Sequence, residues 1–197
     1  STRLSAEPFP FSEPFEGTLR PVDSAQTFAR NIADTTEPRD SETLYELLFI
    51  LAQMSATCSL TIRYPENETL FVLYKGSLVY YHHNGVPFET AFFQKLLTER
   101  TVDDKLLKSI LEDSASSNRS LTVSLYERGA MSLDTLTQRL RMDKERFLHK
   151  CLFLPQKLTF RVEPISEAHQ HVDPVRLNLP ASLVLWARSI LFGLKRN

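Results

Sequence analysis

An α+β fold, an antiparallel β-meander covered by helices, is what this chain predicts, and three observations carry that reading. From Ser59 onward apolar and polar residues alternate in three successive runs separated by turn chemistry. Ahead of them, Leu44, Leu47, Leu48 and Leu51 keep the i, i+3, i+4, i+7 spacing of one buried helix stripe. Behind them, a helix–turn–helix pattern that opens at Leu97-Thr98-Glu99-Arg100 returns at Leu125-Tyr126-Glu127-Arg128.

Taken in order, residues 1–14 carry Pro8, Pro10 and Pro14 among Phe9, Phe11 and acidic residues, a composition that forms no helix and reads as an extended arm. The chain opens on Ser with no Met, which suggests a processed product or one domain of a longer protein. Residues 15–22 suit a short edge strand, with Pro21 tolerated at its end. Residues 23–40 are polar and read as a loop with a turn of helix over 25–32. The leucine stripe then places a helix over residues 41–54, widened by Phe49, Ile50 and Met54.

The strands come next. Leu60, Ile62 and Tyr64 alternate with Thr61 and Arg63, and Pro65-Glu66-Asn67-Glu68 is turn chemistry. Residues 70–74 form a more buried strand, Lys75-Gly76 a tight turn, and residues 77–83 a third strand ended by Asn84-Gly85. Short turns between consecutive strands make a meander, and its apolar face needs a cover, which the 41–54 helix supplies. Short helices are predicted over residues 91–97, 103–111, 121–128, 132–140 and 143–153, with Asp103, Ser132 and Asp143 as N-caps. A strand over 158–162 follows. After a polar loop, Asn178-Leu179-Pro180 starts an amphipathic helix carrying Leu183, Trp186, Ile190 and Leu194. We read residues 15–197 as one domain, with a helical-hairpin subregion at about 88–153.

Composition narrows the function classes. The 197 residues are 42% hydrophobic and 24% charged, ordinary for a folded domain. Lys and Arg number 23 against 24 Asp and Glu, so no global field favours nucleic acid or an acidic membrane. Cys58 and Cys151 sit in apolar patterns and read as buried free thiols, which points to the cytoplasm. No uninterrupted apolar run reaches the roughly 18 residues of a membrane span; residues 183–194 are broken by Arg188 and Ser189. Membrane insertion is therefore not expected.

Catalytic and cofactor motifs are missing from the sequence. It holds no Gly-rich phosphate loop, HExxH, CxxC pair or GxSxG elbow, and only 5 glycines in all. Adjacent His82 and His83 point to opposite faces of a strand and cannot chelate one metal together. His169-Gln170-His171 with Asp173 has ligand chemistry, but a solvated loop accounts for it. We expect no enzyme activity, no cofactor and no metal. Two features suit protein contact. Tyr80-Tyr81-His82-His83 places Tyr81 and His83 on one strand face and Tyr80 and His82 on the other, with core packing an equal explanation for one face. The last helix, through Trp186 and Phe192, serves either as core cover or as a dimer or interdomain surface.

In its order of elements the chain resembles the PATAN family of bacterial regulatory proteins. The resemblance rests on Gly17-Thr18-Leu19, the apolar helix from Leu44 to Met54, Ser59-Leu60-Thr61-Ile62, the hairpin from Leu70 to Tyr80 around Lys75-Gly76, and Leu158-Thr159-Phe160-Arg161-Val162. It covers roughly residues 15–163, and Cys58 stands where family members usually carry Gly. It implies a non-enzymatic signalling domain of the bacterial cytoplasm that works through protein partners or oligomerisation, a homodimer included. The second helical copy is also similar to the N-terminal repeats of type II secretion and pilus ATPases, some of which bind cyclic di-GMP through an Arg-Leu-Gly segment. Here Ser120, Leu121 and Thr122 hold those positions ahead of Gly129, so the stacking guanidinium is absent. A reading from another class is a winged-helix DNA binder, with residues 121–128, 132–140 and 143–152 as its helices and the last as recognition helix. Against it, Asp143-Lys144-Glu145-Arg146 alternates in sign where a groove-reading helix is usually basic.

Overall fold

A computed structural model of the chain describes residues 38–117, 120–163, 165 and 175–194, without the side chains of 115–117 and 191–194. The arm at 1–14, the edge strand at 15–22, the turn of helix at 25–32 and the histidines His169 and His171 lie outside these ranges. The described residues form an α+β unit. Helix α1 (Ser41–Gln53) leads into strands β1 (Cys58–Tyr64), β2 (Asn67–Tyr74), β3 (Ser77–His83) and β4 (Val86–Pro87). Helices α2 (Phe88–Glu99), α3 (Asp104–Ser117), α4 (Leu121–Glu127) and α5 (Leu133–Leu152) follow, then β5 (Thr159–Glu163), β6 (Leu177–Asn178) and α6 (Leu179–Leu194).

The strands make one antiparallel sheet in the order β4-β3-β2-β1-β5, with β6 also paired to β3. The consecutive short turns expected from Pro65–Glu68, Lys75-Gly76 and Asn84-Gly85 produce this meander directly. Strand β3 carries two short neighbours on its outer edge: β4 opposite His82 and His83, and β6 opposite Ser77 and Leu78. Between those two contacts the ladder with β2 slips. Val72 faces Tyr80 while Leu73 faces Leu78, so Val79 is a bulge residue with no strand partner on either side.

One face of the sheet meets the helices. Leu60 and Ile62 of β1, Phe71 and Leu73 of β2, and Leu78 and Tyr81 of β3 share a core with Leu44, Leu47, Leu48 and Leu51 of α1. The bulge is why Leu78 and Tyr81, three residues apart, face the same way. The cover expected from α1 is therefore present, and the buried apolar side chains of the other helices join the same core.

The repeated helical pattern is real. In the first copy α2 ends at Arg100, which takes the left-handed conformation (φ 52°), and Asp103 Oδ1 then accepts the Lys105 and Leu106 N–H groups, each at 3.0 Å. In the second copy Gly129 supplies the positive φ, at 66°, and Ser132 Oγ accepts the Thr135 N–H at 3.3 Å. The two helices expected over 132–140 and 143–153 are a single helix, α5, and Asp143 is not an N-cap. Arg141 and Met142 are good helix formers, so nothing breaks the chain there. Asp143 is occupied instead by Lys95 Nζ of α2 at 2.5 Å. The buried stripe Leu136, Leu140, Lys144, Leu148, Leu152 runs straight through the expected gap. Its central residue is a lysine, and the reading of the neighbouring Asp143 as an N-cap is what makes one helix read as two.

Candidate functional site

The sequence points to the end of β3 and to the last helix, and each resolves into a distinct environment. At β3, Tyr81 is buried and stacks on Phe147 of α5 with ring centroids 4.1 Å apart and planes within 8°. Burial, with the nearby Asp143 and Cys151 contributing, pushes its phenol well above the ordinary range. Tyr81 is therefore core and offers no contact area. On the opposite face Tyr80 and His82 are half-buried, and the Tyr80 ring meets Phe88 edge-on at 5.6 Å.

His83 closes a small polar cluster on the helix side. Its Nδ1 lies 2.9 Å from Thr69 Oγ1 and 3.4 Å from the Tyr64 hydroxyl, and its ring meets Phe147 edge-on at 5.7 Å. Desolvation, with the charge of Lys150 second, holds this imidazole below the ordinary histidine range. The sign of the consequence is fixed. The folded chain keeps His83 neutral to a lower pH than the unfolded chain, which takes up a proton as pH falls below the ordinary value near 6.5. Stability is thus complete above that pH and declines as pH falls through the lowered native value. In urea melts at pH 7.5 and 5.5, His83→Gln should lose less of its midpoint over this window than the parent chain. An equal loss in both would remove His83 from the acid response.

At the last helix, Asn178 Oδ1 caps α6 through the Ala181 N–H at 3.0 Å, as the Asn-Leu-Pro start predicts. Trp186 is buried, so of the two readings of the last helix it takes that of core cover; Phe192 lies in α6 with its side chain outside the described set. The Trp186 ring is the middle rung of a ladder. Tyr45 of α1 stacks on it at 5.0 Å, Phe49 stacks on Tyr45 at 6.4 Å, and the Phe153 ring, just beyond α5, lies 5.5 Å from it, tilted by 53°. The outer rungs face water: Phe49 is 38% exposed and Phe153 58%, while Leu185 of α6 is 53% exposed. The sequence reading counts Phe49 as widening the buried α1 stripe, which its exposure corrects, and it passes over Tyr45 and Phe153 as a surface. Phe49 borders the α1 stripe and Phe153 stands one place past the last stripe position of α5, and spacing along the chain does not mark either as exposed.

Other chemistry is spoken for. The Ser120 and Thr122 hydroxyls, at the positions compared with a cyclic di-GMP segment, donate to Glu89 Oε1 at 2.5 and 3.0 Å, which sets a carboxylate where a nucleotide phosphate needs positive charge. Cys58 and Cys151 are free and buried, and burial pushes each thiol up to about 12. No group of three or more His, Cys, Asp or Glu among the described residues is placed to hold a metal ion. No described helix is long and apolar enough to cross a membrane. No protein-family model, curated protein or solved structure matches this chain.

Proposed function

We propose that this chain is a non-enzymatic regulatory module that docks a protein partner, a second copy of itself included, through the aromatic ladder on α1 and α6. The observation that carries the reading is the exposure of Phe49 and Phe153 at the two ends of a row of touching rings. Aromatic side chains held by their neighbours lose little entropy on binding, which is why such residues dominate protein interfaces. A cytoplasmic setting fits the two buried free thiols. The sequence of an apolar helix, a meander and helical hairpins supports a PATAN-like signalling role. DNA binding draws less support. Residues 143–152 belong to the longer α5, and Lys144, at the centre of the supposed recognition surface, is fully buried.

The test compares the parent chain with Phe49→Ser/Phe153→Ser as bait, with and without nuclease, alongside sedimentation of each. Both positions are partly exposed, so the thermal midpoint should move little, in keeping with the roughly ±0.5 kcal/mol usual for such sites. We expect a nuclease-resistant partner set or self-association to be lost at least tenfold. Retention of both by the variant would overturn the assignment, and recovery that vanishes with nuclease would favour nucleic acid.

A further inference from the structure

The sheet has two faces, and the helices account for only one. On the other face, Ser59 and Thr61 of β1, Leu70 and Val72 of β2, and Val79 of β3 lie side by side at the centre. All are buried, Val72 and Val79 completely so. The described apolar residues that pack there are Tyr74, Tyr80 and Ile165, whereas the buried apolar side chains of every helix belong to the opposite core. Arg161 and Glu163 of β5 extend this face beyond Thr61 and Ser59, and Arg176 lies over the Tyr74 ring at 4.8 Å. These neighbours border the face, and full burial of its central valines calls for a further apolar element across it.

We propose that this face is the docking surface of the chain's own N-terminal segment, seated through Phe28 and Ile32. The remaining stretches beyond the described residues are too short or too polar to cover it. They are Asn118-Arg119, Pro164, residues 166–174 with Val172 as their only large apolar side chain, and Lys195-Arg196-Asn197. Residues 1–37 are long enough and apolar enough. Within them Ala25, Phe28, Ala29 and Ile32 repeat the i, i+3, i+4, i+7 spacing that marks the buried stripe of α1. The point of attachment fits as well. Arg39 forms a two-way backbone bridge with Leu158, N–H to O at 2.7 and 2.6 Å, next to the edge strand β5. From that edge, residues 33–37 span up to about 17 Å when extended, enough to cross the roughly 15 Å from β5 to β3. Covalent attachment gives the segment a high local concentration over the face, so a weak apolar contact suffices to keep it seated. The segment then shields an apolar surface that would otherwise invite association.

Hydroxyl-radical footprinting of the full chain tests this independently of the aromatic ladder. Tyr74 and Tyr80 border the shielded face, and Tyr81 on the opposite face is the internal reference. In Phe28→Asp/Ile32→Asp we expect oxidation at Tyr74 and Tyr80 to rise at least threefold with Tyr81 unchanged, while Gln26→Asp, off the stripe, leaves all three as they are. No rise at Tyr74 and Tyr80 overturns the proposal. Should Tyr81 rise too, the milder Phe28→Ala/Ile32→Ala decides: a rise confined to Tyr74 and Tyr80 supports the seating and its absence overturns it. Protection in the parent chain that fades on dilution would assign the occupant to a second copy, which also overturns it.

Discussion

Lys144→Met should lower the stability of this domain by about 2–4 kcal/mol although it nearly keeps side-chain volume. The ammonium of Lys144 has no exposure to water. It donates to the Val79 carbonyl at 2.8 Å and to the Val175 carbonyl, and it lies 4.9 Å from the Phe88 ring centroid. These contacts belong together. The bulge at Val79 takes that residue out of the β2 ladder, and the gap between β4 and β6 leaves its outer side open, so the carbonyl needs a donor from elsewhere. Val175 stands just before β6, and the same lysine ties it in.

Methionine fills the space but donates nothing, and a buried carbonyl left without a donor costs roughly 1–3 kcal/mol. Part of that loss is offset because no ammonium then has to leave water. A urea melt with an unchanged slope and a lowered midpoint is the expected result. An unchanged or raised midpoint would mean that desolvation of the lysine cancels its bonds, and that the bulge is held by packing alone. Hydrogen exchange should show Leu177 and Asn178 among the amides that lose protection first.

Gly76→Ala is expected to cost about 2–4 kcal/mol, against about 1 kcal/mol for Gly85→Ala. Both glycines occupy hairpin turns at positive φ, 72° and 75°, and both read from sequence as ordinary turn residues. Their surroundings separate them. A Cβ on Gly76 would sit 2.5 Å from the Ala52 carbonyl oxygen and 3.2 Å from the Cα atoms of Ala52 and Ser55, while one on Gly85 would meet nothing within 4 Å. The obstacles at Gly76 are backbone atoms at the end of α1, which cannot rotate aside. The turn also donates the Gly76 N–H to the Ala56 carbonyl at 2.9 Å, so moving it disturbs the link between α1 and the sheet. Thermal melts of the two variants side by side provide the check, and equal losses would show that positive φ alone sets the cost.

The candidate surface is only half legible in the sequence. Trp186 and Tyr81 stand out as aromatic residues in amphipathic elements, yet both are core because α1 and α5 close over them. Phe153 and Phe49 carry the exposed area, and nothing in one-dimensional periodicity distinguishes an apolar residue just outside a stripe from one that a neighbouring helix covers. Burial of a ring depends on which helix lies beside it, a long-range fact.

Local chemistry written in the chain accounts for the elements themselves. Alternation at period two, turn pairs at Lys75-Gly76 and Asn84-Gly85, the α1 leucine stripe and the caps at Asp103, Ser132 and Asn178 all act within a few residues, and each appears where its chemistry places it. Contacts across tens of residues settle the rest, and those exist only once the chain has folded. The bulge at Val79 is met by Lys144 from a helix 65 positions away, and the helix start expected at Asp143 falls in the middle of that helix. A lysine is polar until its partners are in place; once two carbonyls and an aromatic ring surround it, it packs as part of the core.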